Sequence, residues 1–143
     1  LSDERTGHVQ VTRARMSLGA ALAMSGQTEE GIAVLEQVRS EAIARGVRHL
    51  EVTVSLTIGR MRVQTGSARQ ALPLLESGLA LARQLRLPDR ELHGVLNLGE
   101  AHLALGELDL AQVQIELAVT MAQEQGHSQL EPVLAEALAE IAR

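Results

Sequence analysis

Glycines recur in this chain forty residues apart, in two separate columns: Gly19, Gly59 and Gly99, then Gly26, Gly66 and Gly106. A fixed period of this length, kept by more than one column, marks a stacked supersecondary unit rather than a single closed core. The stretches around these glycines align without gaps: "MSLGAALAMSG" from Met16, "LTIGRMRVQTG" from Leu56 and "LNLGEAHLALG" from Leu96. Leu18, Ile58 and Leu98 precede the first glycine of each, Leu35, Leu75 and Ile115 recur in the following segment, and small residues stand at Gly31, Ala71 and Ala111. Several independent columns in register over three units rule out a chance pairing.

Each unit divides into two helical patterns. Apolar residues follow helical spacing, as in Ile32, Leu35, Val38 and Ala42 or Leu134, Leu138 and Ile141, and nothing alternates with the period of two that a strand needs. The spacing predicts first helices over 9–25, 49–65 and 90–105, second helices over 28–45, 68–85 and 108–125, and a last helix over 129–142. Residues 1–8 are expected as a tail, and 9–143 as one domain of units 9–48, 49–88 and 89–128 plus the final helix. Gly26, Gly66 and Gly106 fit left-handed positions that end the first helices. Ser67 with Gln70 reads as a capping box, Asp89 as the cap of the next helix, and Ser128 with Glu131 as a further start. Pro132 falls in a first turn, whereas Pro73 lies deeper in its helix and predicts a bend or widened turn. The fold class is therefore all-α: seven antiparallel helices stacked as a right-handed solenoid. Within it Gly19, Gly59 and Gly99 are packing positions, where a missing side chain lets the paired helix approach.

Composition narrows the chemistry. With 45% hydrophobic residues in a chain of 143, an interior can form, but it contains no Phe, Tyr or Trp and must be aliphatic. Stacking on nucleobases and aromatic cages for quaternary ammonium groups are thereby removed. A net charge of -5 argues against holding a phosphate backbone, so nucleic acid is not an expected partner. No cysteine is present, no HExxH or Ser-His-Asp arrangement occurs, and His93 and His102 stand nine apart, off a common helical face. "TIGRMRVQTG" lacks the lysine of a phosphate-binding loop. Neither a catalytic set, a metal site nor a cofactor is expected. No apolar run reaches the roughly 18 residues of a membrane span, and "LSDERTG" has no features of a secretion signal, so a cytoplasmic, non-membrane protein is the expectation. The leucine start and the unpaired last helix read as a segment of something longer.

The arrangement resembles the tetratricopeptide repeat family in a longer, forty-residue form. The resemblance rests on the pairs Leu18-Gly19, Ile58-Gly59 and Leu98-Gly99, the small residues Gly31, Ala71 and Ala111, the large residues Leu35, Leu75 and Ile115, and then Val38, Gly78 and Ala118. It departs where the family often carries Trp or Tyr: Arg15, Ser55 and Val95 fill one such column, Leu22, Arg62 and His102 the other. The resemblance implies a non-enzymatic protein-protein interaction module, of the kind found in bacterial signalling, regulatory and scaffold proteins. It also implies that first helices line a concave groove. Carried over by column, that groove takes Arg13, Met16, Ser17 and Ala20, then Thr53, Leu56, Thr57, Arg60 and Gln64, then His93, Leu96, Asn97, Glu100 and Leu103. Asn97 matches a position where peptide-binding members use an asparagine amide to hold a ligand backbone or carboxylate. The equivalents here are Ser17 and Thr57, and the lysines of the family's carboxylate clamp are missing.

Other readings stay open at this point. The solenoid could be a structural or oligomerisation spacer, or a helical domain sensing a small molecule. On the last helix, Val133, Leu134, Leu138 and Ile141 form a stripe that could pack as a cap, receive another repeat, or dock a second chain to give a homodimer.

Overall fold

The computed structural model describes residues 2–143, with side chains from Gly7 onward. Among them the chain is helical throughout: α1 (Ser2–Met24), α2 (Thr28–Arg45), α3 (Arg48–Gln64), α4 (Ala68–Gln84), α5 (Pro88–Ala104), α6 (Leu108–Gln125) and α7 (Glu131–Ala142). A single 3-10 turn, Ser128–Leu130, leads into α7. Each helix packs on the next, and α3 also packs directly on α5. The result is a solenoid of stacked antiparallel pairs with α7 laid against α6.

The unit is forty residues in its side chains but twenty in its backbone. A left-handed residue follows every helix from α1 to α6, at Gly26, Gly46, Gly66, Arg86, Gly106 and Gly126. The N–H of the next residue then reaches back to a carbonyl in the last helical turn: Gln27 to Leu22 at 2.8 Å, Val47 to Ala42 at 2.9 Å, Ser67 to Arg62 at 2.7 Å. Leu87 to Ala82 at 3.0 Å, Glu107 to His102 at 2.9 Å and His127 to Ala122 at 2.9 Å repeat the closure. Such six-to-one bonds satisfy carbonyls that a helix end leaves open, and they reverse the chain within two or three residues.

These turns also explain why the expected side-chain caps are unused. Ser67 makes no side-chain capping bond, Asp89 lies inside a first turn because α5 starts at Pro88, and Ser128 begins the 3-10 turn. The residue after each left-handed position already enters the next helix through its own carbonyl, as in Gly31 N–H to Gln27 at 3.0 Å and Ala71 N–H to Ser67 at 3.2 Å. Pro132 sits in the first turn of α7 as expected. Pro73 does not widen α4, which continues through it as α-helix. It lies on the exposed side, so the carbonyl deprived of a donor can turn to water. The expected tail is also replaced: α1 begins at Ser2, because no proline precedes Val9 and one glycine, Gly7, costs only about 1 kcal/mol in a helix. Leu1 lies outside the described residues.

The three glycines of the first column sit at close contacts between paired helices. A Cβ added at Gly19 would come within 2.8 Å of Leu35 Cγ, one at Gly99 within 2.7 Å of Ile115 Cγ1, and one at Gly59 would collide with Leu75. Each first helix thus leaves a notch for the large residue of its own second helix. Gly31 is tighter than its counterparts Ala71 and Ala111, since a Cβ there would strike the Gly19 carbonyl oxygen itself. The aliphatic interior falls into two clusters that meet at α3. Val54, Ile58 and Met61 join Ile32, Leu35 and Val38 of α2, while Val52 and Leu56 join the larger cluster running on through α4 to α7. Missing aromatics are replaced by polar pairs where the surface is near: Arg15 with Glu41, Arg62 with Glu29 at 2.7 Å, and Arg39 Nε donating to buried Ser55 Oγ at 2.9 Å. Val95 keeps that column apolar in the third unit.

One column breaks at the start of the stack. Leu18 is 50% exposed although Ile58 and Leu98 are 0% and 4% exposed. This face of a first helix packs on the second helix of the preceding unit, and α1 has no such neighbour among the described residues.

Two substitutions test the account. Gly99→Ala gains about 1 kcal/mol of helix propensity but forces overpacking that typically costs about 1–3 kcal/mol; a thermal melt should show net destabilisation. Arg86, with φ of +57°, is the non-glycine among the left-handed turn residues. Arg86→Gly should raise the urea midpoint, by about 1 kcal/mol of stability, because it relieves an αL side-chain penalty of that order.

Candidate binding groove

Between α3 and α5 lies a cleft of about 170 Å³, lined by Thr53, Leu56, Thr57, Arg60, Asp89, Arg90, His93 and Asn97. The first helices build it because residues at intervals of three and four fall on one face, so Thr53, Thr57 and Arg60 line α3 and His93 and Asn97 line α5. The threonines are tied back to their own helix: Thr53 Oγ1 donates to the His49 carbonyl at 3.1 Å and Thr57 Oγ1 to that of Thr53 at 2.7 Å. Arg90 Nε donates to Thr53 Oγ1 at 3.3 Å, joining the two helices across the mouth, and Asp89 lies 3.2 Å from the Arg90 guanidinium. The His93 ring bonds the Asp89 carbonyl through Nδ1 at 2.8 Å.

Asn97 is the unusual member. It is only 7% exposed, and with Ser55 it makes up the buried polar residues of the described chain. Ser55 is satisfied by Arg39. Among the described residues no hydrogen bond within the protein holds the Asn97 side-chain amide, and its atoms keep access to solvent at the cleft that it lines. A polar ligand there would take the place of solvent on the amide.

The surface continues on both sides. Arg13 and Met16 line a wider cleft of about 490 Å³ between α1 and α3, with Val9, Val47 and Leu50 as further apolar walls. Ala20, Thr57, Arg60 and Gln64 line another part of that seam, which places Arg60 on two adjoining clefts. Glu100 and Leu103 open instead toward α7, beside Glu136 and Glu140. The groove is thus arginine-rich at α3 and the start of α5, and carboxylate-rich at the α5–α7 end.

Several candidates lie wholly or partly against the core. Leu96 is buried in the larger cluster, and Leu56 forms only the floor of the cleft while filling the space over Gly78. Met16, of the same column, packs against the smaller cluster. Ser17 is exposed on α1. The stripe expected on α7 is mostly spent: Leu134 is buried, Leu138 and Ile141 pack against the core, and Val133 alone of the four is exposed. Its outward columns are small or polar, because Ala135, Glu136 and Ala139 replace Val95, Leu96 and Gly99 of α5. The outward face of α7 thus carries small side chains and carboxylates. Asp89 and Arg90 line the cleft without having been anticipated. Their column equivalents, His49 and Leu50, differ in character, so the repeat carried no signal for them.

No protein-family model and no curated protein matches the chain. Among the described residues no helix is long and apolar enough to cross a membrane, and no three His, Asp or Glu side chains converge as a metal site.

Burial pushes the Glu100 carboxyl above its ordinary range, against the opposing pull of the Arg60 guanidinium. A folded-state pKa above the unfolded one means that this group's contribution is fully present below the unfolded pKa and is lost as pH rises through the folded pKa. Glu100→Gln should therefore melt higher than the parent at pH 7, with the difference closing below about pH 4. A paired series of melts across that range checks both the sign and the window.

Proposed function

We propose that the chain is a tetratricopeptide-like protein-interaction module that receives a peptide segment of a partner protein across α3 and α5. The observation that carries this reading is the Asn97 side chain, enclosed by its neighbours except at its amide, which opens on the cleft beside Arg60 and Arg90 and is held by no hydrogen bond within the protein. An amide offers both a donor and an acceptor, the pair that an extended peptide backbone presents. The neighbouring guanidinium groups favour carboxylates in the segment that follows. Support for the family comes from the Leu-Gly pairs, the glycine notches and the forty-residue period. On this reading the module is non-enzymatic and serves regulation or scaffolding in a bacterial cytoplasm.

Affinity capture with quantitative mass spectrometry tests the site, comparing the parent with an Asn97→Ala, Arg60→Ala double variant. At least one partner should be depleted tenfold or more, and equal recovery of every partner would remove the groove from the account. A stability measurement separates binding from folding. Asn97→Leu should melt close to the parent, since the amide it removes makes no hydrogen bond within the protein and the two side chains are of similar size.

A further inference from the structure

A second surface lies on the solvent face of α6, away from the groove. Leu110, Val113 and Leu117 follow one another at helical spacing and are 49%, 64% and 40% exposed. At the same register α2 carries Glu30, Ala33 and Gln37, and α4 carries Gln70, Pro73 and Ser77. Two of the three units therefore keep this face polar or small, and the third makes it aliphatic. Core packing does not require the change, because α6 meets its neighbours through Ala111, Ile115, Ala118 and Ala122.

The charge around the stripe is of one sign. Asp109 and Glu116 stand on one flank, and Glu124 continues the line two turns beyond Leu117. Among the described residues none of these three carboxylates has a salt-bridge partner, although eight such pairs occur elsewhere. The background is equally one-sided: from Glu91 to Ala142 there are nine acidic residues and no arginine or lysine, while twelve of the thirteen arginines lie at or before Arg90.

From this we infer that the Leu110–Val113–Leu117 stripe docks an amphipathic helix of a partner protein, one with an apolar ridge and lysine or arginine on its flanks. The stripe spans two helical turns, about 10 Å, which matches the ridge of one helix and falls well short of a stable globular interface of about 800 Å² per partner. A second copy of this chain laid stripe to stripe would set Asp109, Glu116 and Glu124 against their own kind. A basic flank meets all three. Helix-on-helix docking of this kind reads apolar anchors for affinity and flank charge for selectivity.

The absence of Trp and Tyr permits a direct assay, since a tryptophan on a synthetic peptide is the sole source of indole fluorescence. The probes are two designed helical peptides with the same leucine ridge and one tryptophan, flanked by lysines in one and by glutamates in the other. The lysine peptide should bind the parent at least tenfold more tightly than the glutamate peptide. A Val113→Ala, Leu117→Gln variant, which copies the residues of α2 and leaves net charge unchanged, should lose at least tenfold in affinity, while Arg60→Ala should not. Equal affinity of the two peptides, or an unchanged affinity in the charge-neutral variant, overturns the inference. So does sedimentation showing a dimer of the parent that this variant dissolves, which would assign the stripe to a second copy. In the unsubstituted protein, a spin-labelled lysine peptide should broaden the methyl resonances of Leu110, Val113 and Leu117 before those of Leu56 on the groove floor. The reverse order would also overturn it.

Discussion

The whole stack depends on one contact made three times, a glycine in a first helix receiving the large aliphatic side chain of the second. Gly19 faces Leu35, Gly59 faces Leu75 and Gly99 faces Ile115, with no room for a Cβ at any of them. A chain without aromatic residues must fill its interior with smaller side chains, so its helices have to come close. The glycine notch permits that approach. It fixes the position of each second helix, and the second helix then supports the next first helix, as Ile32, Leu35 and Val38 do for Val54, Ile58 and Met61. Groove geometry follows from the same contact, because it sets how α3 and α5 lie against each other.

Much of this fold is legible in the amino-acid sequence, for a physical reason. Repeated units bury equivalent faces, so a column that recurs reports a contact that recurs. Helix limits, the glycine notches and the left-handed turns at Gly26, Gly66 and Gly106 all belong to this class. What escapes is whatever the repetition does not share. The twenty-residue turn period is hidden because Arg86 interrupts the Gly46 and Gly126 column. Leu18 is exposed because its column needs a preceding unit, and the outward face of α7 differs from that of α5 because its columns have changed to Ala135, Glu136 and Ala139.

The candidate sites divide along the same line. Arg60, Thr53, Thr57, His93 and Asn97 converge on one cleft because they occupy repeating positions on first helices. Asp89 and Arg90 join them only through the particular crossing of α3 and α5. Leu96 is equally regular in spacing, yet it turns to the core while Leu56 and Met16 of its column still line clefts, since helical periodicity alone does not separate a groove face from an adjacent packing face. The α6 stripe stands out only when the third unit is compared with the first two, and the uneven distribution of arginine gives it its electrostatic setting. Regular positions build the scaffold, and departures from regularity give its surface its local differences in polarity and charge.

The most direct test of the glycine contact is a double-mutant cycle at Gly59 and Leu75, measured by equilibrium unfolding. If the two residues occupy one notch, Gly59→Ala should be far less damaging when Leu75 is already Val than when it is Leu, giving a coupling energy of about 1 kcal/mol or more. Effects that add within about 0.5 kcal/mol would show that the two positions act independently, and would contradict the account at its foundation.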